Sequence, residues 1–102
     1  MYVVIVKFKI SKDLDKGIIK NKFEETAPMY QDTIGLIRKN YLFSASNNTA
    51  GGVYIFDNSK NAHTWFDKER IDWLTERFSS PDITYYDSPV EVNNETNKIV
   101  VN

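Results

Sequence analysis

The chain has 102 residues, of which 41% are hydrophobic and 26% charged, with a formal net charge of −1; this composition is typical of one ordinary globular domain. No basic stripe is present for binding nucleic acid, and the absence of cysteine excludes disulfides, thiolate catalysis and iron–sulfur clusters. The longest apolar run, Val3 to Val6, is far shorter than the roughly 20 residues of a membrane span, and the first residues form a strand-like pattern rather than a signal peptide. We therefore expect a cytoplasmic protein with neither nucleic acid nor a membrane as partner.

The first predicted elements are a strand and a helix. Residues 2–10 are rich in β-branched and aromatic side chains with an apolar stripe at period two, which predicts a strand. Ser11 and Asp13 are expected N-caps of the following helix. Its apolar residues recur at helical spacing: Leu14, Ile18 or Ile19, Phe23, Ala27 and Tyr30. Pro28 is expected to kink or interrupt the last turns, and Gly35 to end the segment.

Two strands that pair as a hairpin are predicted next. Residues 36–44 form the second strand, with one face expected to carry Ile37, Lys39, Tyr41 and Phe43. A polar turn cluster at 46–48 precedes Gly51 and Gly52, which lead into the third strand at 53–56. Glycines at the start of a strand often mark a bulge or the close approach of another backbone.

Two helical stretches, a strand and an arm complete the chain. Asn58 or Ser59 is expected to cap a helix that carries Ala62, Trp65 and Phe66. A second stretch has Ile71, Leu74 and Phe78 at helical spacing. Residues 83–86 predict the fourth strand, Pro89 interrupts it, and residues 89–102 are expected to form an extended C-terminal arm.

The order β-α-β-β-α-β predicts an α+β fold of ferredoxin-like topology over residues 1–102, with two helices covering one face of a four-stranded antiparallel sheet. The first two strands are apolar enough on both sides that the opposite face would expose a large apolar patch. We therefore expect a symmetric homodimer in which this face is covered and the arm reaches across.

Three segments carry a resemblance to a known family: Gly35 to Tyr41 (Gly-Leu-Ile-Arg-Lys-Asn-Tyr), Ala50 to Phe56 (Ala-Gly-Gly-Val-Tyr-Ile-Phe) and Ser59 to Ala62 (Ser-Lys-Asn-Ala). They resemble the putative mono-oxygenase family typified by YdhR, whose members are similar to the dimeric α/β barrels of antibiotic-biosynthesis monooxygenases. The resemblance implies oxidation of a small aromatic or quinol-like molecule by O₂ without a metal, flavin or other cofactor. Fold alone does not establish this chemistry.

Aromatic residues on the second and third strands and on the later helices are the candidates for a substrate-binding site: Tyr41, Tyr54, Trp65 and Trp73. The alternative is that these rings simply fill the core, which is the commoner role of any one ring in a small domain.

Lys39 and His63 are the candidate catalytic residues. On the helix-covered face Lys39 would be a partly buried cation able to hold a phenolate or carboxylate. On the outer face it would be an ordinary solvated lysine, and we favour this second position. His63 is the only histidine and the only side chain with an ordinary pKa near neutrality, although a solitary helix histidine is more often a surface residue.

No metal site is expected, because one histidine and scattered carboxylates offer no ligand spacing. Haem-degrading monooxygenases share the fold that the resemblance implies, and they place a helix tryptophan before an iron-ligating histidine. Trp65 could match that tryptophan, but no histidine follows it, so haem is disfavoured. The leading hypothesis is a cofactor-independent monooxygenase. The alternatives are a non-catalytic ligand-binding or stress-related homodimer on the same scaffold, and a protein whose pocket is packed shut.

Overall fold

The computed structural model describes all residues from 1 to 102. The elements in chain order are β1 (Tyr2–Lys9), α1 (Lys16–Gln31), β2 (Leu36–Ser44), β3 (Thr49–Phe56), α2 (Ser59–Trp65), α3 (Lys68–Arg77), β4 (Asp82–Asp87), β5 (Val90–Asn93) and β6 (Lys98–Val101). The predicted α+β order is confirmed, and the second helical region consists of two helices, α2 and α3. None of the three helices has the length and apolar character needed to cross a membrane.

The main sheet is antiparallel with strand order β2-β3-β1-β4. β1 and β3 are the two inner strands, each paired with a neighbour on both sides. Val4 lies opposite Tyr54 on β3 and Tyr85 on β4. Side chains alternate across a strand, so Val4, Val6 and Phe8 point toward the helices and are buried.

One hydrophobic core lies between the sheet and all three helices. Ile19 of α1, Ala62 of α2 and Leu74 of α3 are buried in the same cluster as Val4 and Phe56 of the sheet. This placement confirms that the helices cover one face, as the apolar periodicity predicts. The opposite face, which we call the outer face, has no covering element.

The helix caps agree only in part with the prediction. Asn58 caps α2 by accepting a hydrogen bond from the Asn61 backbone N–H at 2.8 Å. The prediction of Ser11 and Asp13 as caps of α1 was wrong: Asp15 accepts from the Ile18 N–H at 2.9 Å and is the N-cap. Ser11 and Asp13 instead hydrogen bond to each other in the preceding turn.

Pro28 lies inside α1, which continues to Gln31. The expected interruption of the last turns was therefore wrong. Gly35 follows in the turn before β2 with a φ of 80°, a conformation that costs glycine little.

A β-bulge at the start of β2 changes which face its first residues occupy. Leu36 pairs with Phe56 and Arg38 pairs with Ile55, so Ile37 is an extra residue between them. Ile37 is 58% exposed, and the expectation that it shares a face with Tyr41 was wrong. A bulge inserts one residue into a strand and so shifts the alternation that follows.

Gly51 marks a close approach of two backbones, as the glycine pair at the start of β3 predicts. A β-carbon at this position would collide with the Val6 carbonyl oxygen of β1. Only glycine permits the observed separation between β3 and β1 there.

Beyond Pro89, within the segment 89–102 expected to form the extended C-terminal arm, β5 and β6 form a separate two-stranded hairpin. Several of its apolar side chains are exposed, among them Val92 at 65% and Ile99 at 71%. A two-stranded hairpin is marginally stable alone in water.

Candidate functional site

Lys39 lies inside a cage of three tyrosine rings, which we call the tyrosine cage. Its Nζ lies 3.4 Å from the centre of the Tyr30 ring, 3.7 Å from that of Tyr41 and 4.5 Å from that of Tyr54. The rings come from three elements: α1 supplies Tyr30, β2 supplies Tyr41, and β3 supplies Tyr54. Lys39 itself lies opposite Tyr54 in the register of β2 and β3.

This position corrects the expectation that Lys39 is a solvated lysine on the outer face. Lys39 shares the helix-covered face with Tyr54, which is almost fully buried, and it contacts a ring of the covering helix. The bulge at Ile37 does not move Lys39 away from Tyr41.

The amine of Lys39 has no carboxylate partner. The ion pairs of the chain are all elsewhere, at Lys20–Glu24, Lys68–Asp72 and Arg77–Glu25. Burial without a counter-charge disfavours the ammonium form and lowers the pKa of Lys39 to about 6. Burial thus shifts the amine toward its neutral form, whereas the three ring contacts favour its protonated form.

The tyrosine hydroxyls of the cage are held in a short network. The Tyr41 hydroxyl lies 2.7 Å from the Thr26 hydroxyl of α1, and the Tyr30 and Tyr54 hydroxyls lie 3.5 Å apart. Burial raises the pKa of Tyr30, Tyr41 and Tyr54. These phenols stay protonated at neutral pH and present hydrogen-bonding groups around a neutral amine.

The cage lines a small internal cavity between the sheet and the helices. Its volume is about 20 Å³, and Trp73 lines it beside Lys39, Tyr41 and Tyr54. Such a volume accommodates about one water molecule. An aromatic molecule therefore cannot enter this cavity unless the lining side chains move.

A larger open groove of about 270 Å³ adjoins the cage at the exposed edge of β2; we call it the edge groove. Tyr30, Tyr41 and Lys39 line both the cavity and the edge groove. Lys39 is partly exposed, so the amine is not sealed from solvent. The edge groove is the side from which a small molecule can approach it.

Trp65 and Trp73 belong to a second aromatic group around Arg70. The Arg70 guanidinium lies 3.9 Å from the Trp65 ring centre and 5.2 Å from that of Trp73. Trp65 also packs edge-on against Tyr30, with ring centres 5.5 Å apart. Trp65 does not line the cavity with Lys39, so its contact with the cage passes through Tyr30.

His63 lies apart from Lys39. Its Nε2 is 3.2 Å from the Tyr2 hydroxyl, and its ring packs on Tyr85 with centres 4.3 Å apart. His63 lines neither the cavity nor the edge groove. The two candidate catalytic residues are thus not brought together.

Sequence reasoning missed Tyr30 and Thr26 as members of the site. The helical spacing places Tyr30 on the apolar face of α1, and such a position is also typical of a core residue. The pair Thr26 and Tyr30 has the spacing of one helical turn, and this polar pair on a core-facing helix was the available signal. No group of three or more metal-ligating side chains is present.

Comparison with known proteins places the chain in a fold group. One similar structure is that of a putative antibiotic biosynthesis monooxygenase from Deinococcus radiodurans, with a TM-score of 0.68 and 16% identity over 91% of this chain and 97% of that one. The second is SnoaB, a cofactor-independent oxygenase from Streptomyces nogalater, with a TM-score of 0.62 and 11% identity over 85% of this chain and 91% of that one.

A third structure is the structural-genomics protein YJCS, with a TM-score of 0.59 and 17% identity over 85% of this chain and 96% of that one. At these identities the likeness shows the fold alone. No curated protein matches the chain significantly. The family model described as "Putative mono-oxygenase ydhR" matches residues 3–99. Since that match spans nearly the whole chain, the protein belongs to the putative mono-oxygenase ydhR family.

Proposed function

We propose that this protein is a cofactor-independent monooxygenase that oxidises a small, electron-rich phenol or quinol-like molecule with Lys39 as its base. The observation that carries the proposal is the unpaired Lys39 amine inside the tyrosine cage. Family membership supports the reaction class, and so does the similar fold of SnoaB, a cofactor-independent oxygenase.

The lowered pKa of Lys39 suits it to accept a proton. A neutral amine takes the hydroxyl proton of a bound phenol and becomes an ammonium group beside the phenolate. Opposite charge then favours the anion in a partly buried site. The role of the protein is to bind the molecule, form its anion and keep the site dry.

The electrons for the reaction come from the substrate itself. A phenolate passes electrons to O₂, and one oxygen atom bonds to a ring carbon while the other leaves as water. A phenol and O₂ thus give a quinone and water, in which the ring has supplied all the electrons that O₂ accepts. No external reductant is needed for this balance.

The edge groove is the proposed binding surface. Most of its lining residues are hydrophobic, with Lys39, Arg38 and Gln31 as polar groups, and such a combination suits a small aromatic ligand. With the substrate there, its hydroxyl would lie toward Lys39 while O₂, a much smaller molecule, reaches the ring from the open side. His63 has no part in this arrangement.

Oxygen uptake with a panel of phenols and hydroquinones, without added metal or NAD(P)H, tests the proposal. We expect turnover by the wild-type protein, loss of at least about a hundredfold in rate for Lys39→Met, and unchanged turnover for Lys60→Met, whose side chain is exposed. Equal uptake by the two variants would reject Lys39 as the base.

The second candidate is non-catalytic ligand binding, and the small cavity favours it. A volume of about 20 Å³ fits a protein in which the cage is a structural feature and ligands bind only at the surface. Binding of phenols detected by Trp fluorescence, with no oxygen uptake by any panel member, would select this candidate.

We also propose that the protein acts as a homodimer through the outer face. Ile5 and Val53 are paired neighbours on that face, as are Val3 and Ile55, and no helix covers them. The exposed apolar side chains of β5 and β6 supply a further surface. A second copy covering both would remove these groups from water.

A further inference from the structure

The edge groove combines a nucleophilic amine with a purely basic charge pattern. Lys39 and Arg38 both border it, and its remaining lining residues include no aspartate or glutamate. Arg38 forms no ion pair. Gln31, at the end of α1, adds an uncharged amide to the same rim.

Lys39 is suited to a reaction that an exposed lysine performs poorly. A nucleophilic amine must be unprotonated, and burial next to aromatic rings without a carboxylate favours that state. The edge groove, which Lys39 lines, is the space large enough for a small molecule to approach the amine. The other lysines of the chain are exposed on the surface except Lys22, which is half-buried.

We propose that Lys39 forms an imine with a small carbonyl compound that bears a carboxylate, such as a 2-oxo acid, bound in the edge groove beside Arg38. This reaction uses the same amine as the proposed oxygenase but needs neither O₂ nor a phenol. The imine can therefore be confirmed or rejected separately from the oxygenase activity.

The bond changes are those of an ordinary condensation. The Nζ lone pair attacks the carbonyl carbon, a proton moves from nitrogen to the former carbonyl oxygen, and that hydroxyl leaves as water when the C=N bond forms. The hydroxyls of Tyr30 and Tyr41, whose rings contact the amine, are the proposed donors of the proton that water loss requires, and the second N–H proton of the amine returns to the donor. Nothing is oxidised or reduced.

The choice of an anionic carbonyl compound follows from charge and size. Arg38 supplies a positive charge in a groove without acids, and a guanidinium binds a carboxylate through paired hydrogen bonds. The edge groove, at about 270 Å³, accommodates a compact 2-oxo acid, whereas the cavity of about 20 Å³ leaves no room for a larger group beyond the amine.

Reductive trapping tests the proposal on the intact protein. The chain is incubated with glyoxylate and sodium cyanoborohydride at neutral pH, and peptide mapping by mass spectrometry locates the carboxymethyl groups. We expect Lys39 to be modified at least about tenfold faster than exposed Lys60, because a larger fraction of its amine is unprotonated. Modification of the N-terminal amine is distinguished from that of Lys39 because the two groups lie in different peptides.

Two comparisons separate the parts of the proposal. Acetaldehyde, which lacks the carboxylate, should modify Lys39 more slowly than glyoxylate, and Arg38→Gln should slow only the glyoxylate reaction. Lys39→Met should remove the fast site while Lys60→Met leaves it. Modification spread evenly over the exposed lysines, with Lys39 no faster than Lys60, would overturn the imine; equal rates for the two aldehydes would overturn the anionic ligand.

Discussion

A β-carbon at position 52 would lie 3.0 Å from Cε of Lys39, so the glycine at this position leaves the space that the lysine side chain occupies. The same β-carbon would lie 3.1 Å from the Tyr54 ring. Gly52 thus adjoins two members of the tyrosine cage. The position of the amine depends on a residue that contributes no side chain of its own.

Gly52→Ala is expected to displace Lys39 and to lower the free energy of unfolding by about 1–2 kcal/mol, since an added methyl group in a packed site forces its neighbours to move. Urea unfolding measures the change. Gly17→Ala is the matched control, because its β-carbon would meet only the Asp15 carboxylate oxygen at 3.4 Å. That variant should gain up to about 1 kcal/mol, and a similar gain for Gly52→Ala would contradict the crowding.

The pH dependence of stability should report the neutral Lys39. Its pKa is about 6 in the folded chain against an ordinary value of 10.5, so between these values the unfolded chain binds the extra proton. The free energy of unfolding should therefore rise with pH across this window, by at most about 1.4 kcal/mol per pH unit. Below the window both states are protonated and the contribution is constant.

Lys39→Met should remove this rise, whereas Lys60→Met should preserve it. Lys39 is surrounded by Tyr30, Tyr41 and Tyr54, whose pKa values are raised by burial, so they stay neutral over most of the window. Arg77, the other cationic side chain that lines the cavity, is common to all three proteins. Urea titrations of the three proteins across the window measure the slopes. Parallel slopes for wild type and Lys39→Met would show that the amine is solvated.

The Thr26–Tyr41 hydrogen bond should contribute measurably to stability. Tyr41→Phe keeps the ring on Phe23, with centres 4.4 Å apart, but loses the 2.7 Å contact. We expect a loss of about 0.5–1.5 kcal/mol in the free energy of unfolding. Tyr86→Phe, on the exposed part of β4, should change it by less than about 0.5 kcal/mol; equal effects would mean that the contact is not formed.

The proposed homodimer predicts that a charge on the outer face weakens self-association. Val53→Lys should weaken it by at least about 2 kcal/mol, because the lysine would be buried without a partner in the interface. Ile34→Lys is the control, since Ile34 is 80% exposed in the turn before β2. Sedimentation equilibrium distinguishes the two, and a monomeric wild-type protein at micromolar concentration would reject the homodimer. A stable interface buries about 1,000 Å² or more in total.

The order of elements was predictable because it depends on local patterns. The period-two stripe of β1 and the turn cluster before Gly51 each specify an element from a few neighbouring residues. The N-cap at Asp15 was missed because Ser11, Asp13 and Asp15 all carry suitable oxygens, and only the path of the chain selects among them.

The site was predictable in residue type but not in arrangement. Tyr41 and Tyr54 were assigned to it on strand position, and both line the cavity with Lys39. The parity of β2 places Lys39 on the same face as Tyr41, but the strand carries apolar residues on both faces, so its pattern does not indicate which face the helices cover. The pKa of Lys39 depends on the absence of a nearby carboxylate, which is a property of the packed molecule rather than of any segment.

The central position of β1 also determines when the molecule can fold. Tyr2 pairs with Phe56 on one side and with Asp87 on the other, so the first strand acquires its last neighbour only after most of the chain has been made. During synthesis, β1 and β3 can associate early, but the edge later covered by β4 stays open. Contacts so distant in sequence slow folding, and an unpaired strand edge invites association with other chains. The nascent protein therefore passes through an aggregation-prone interval that ends when residues 82–87 reach β1.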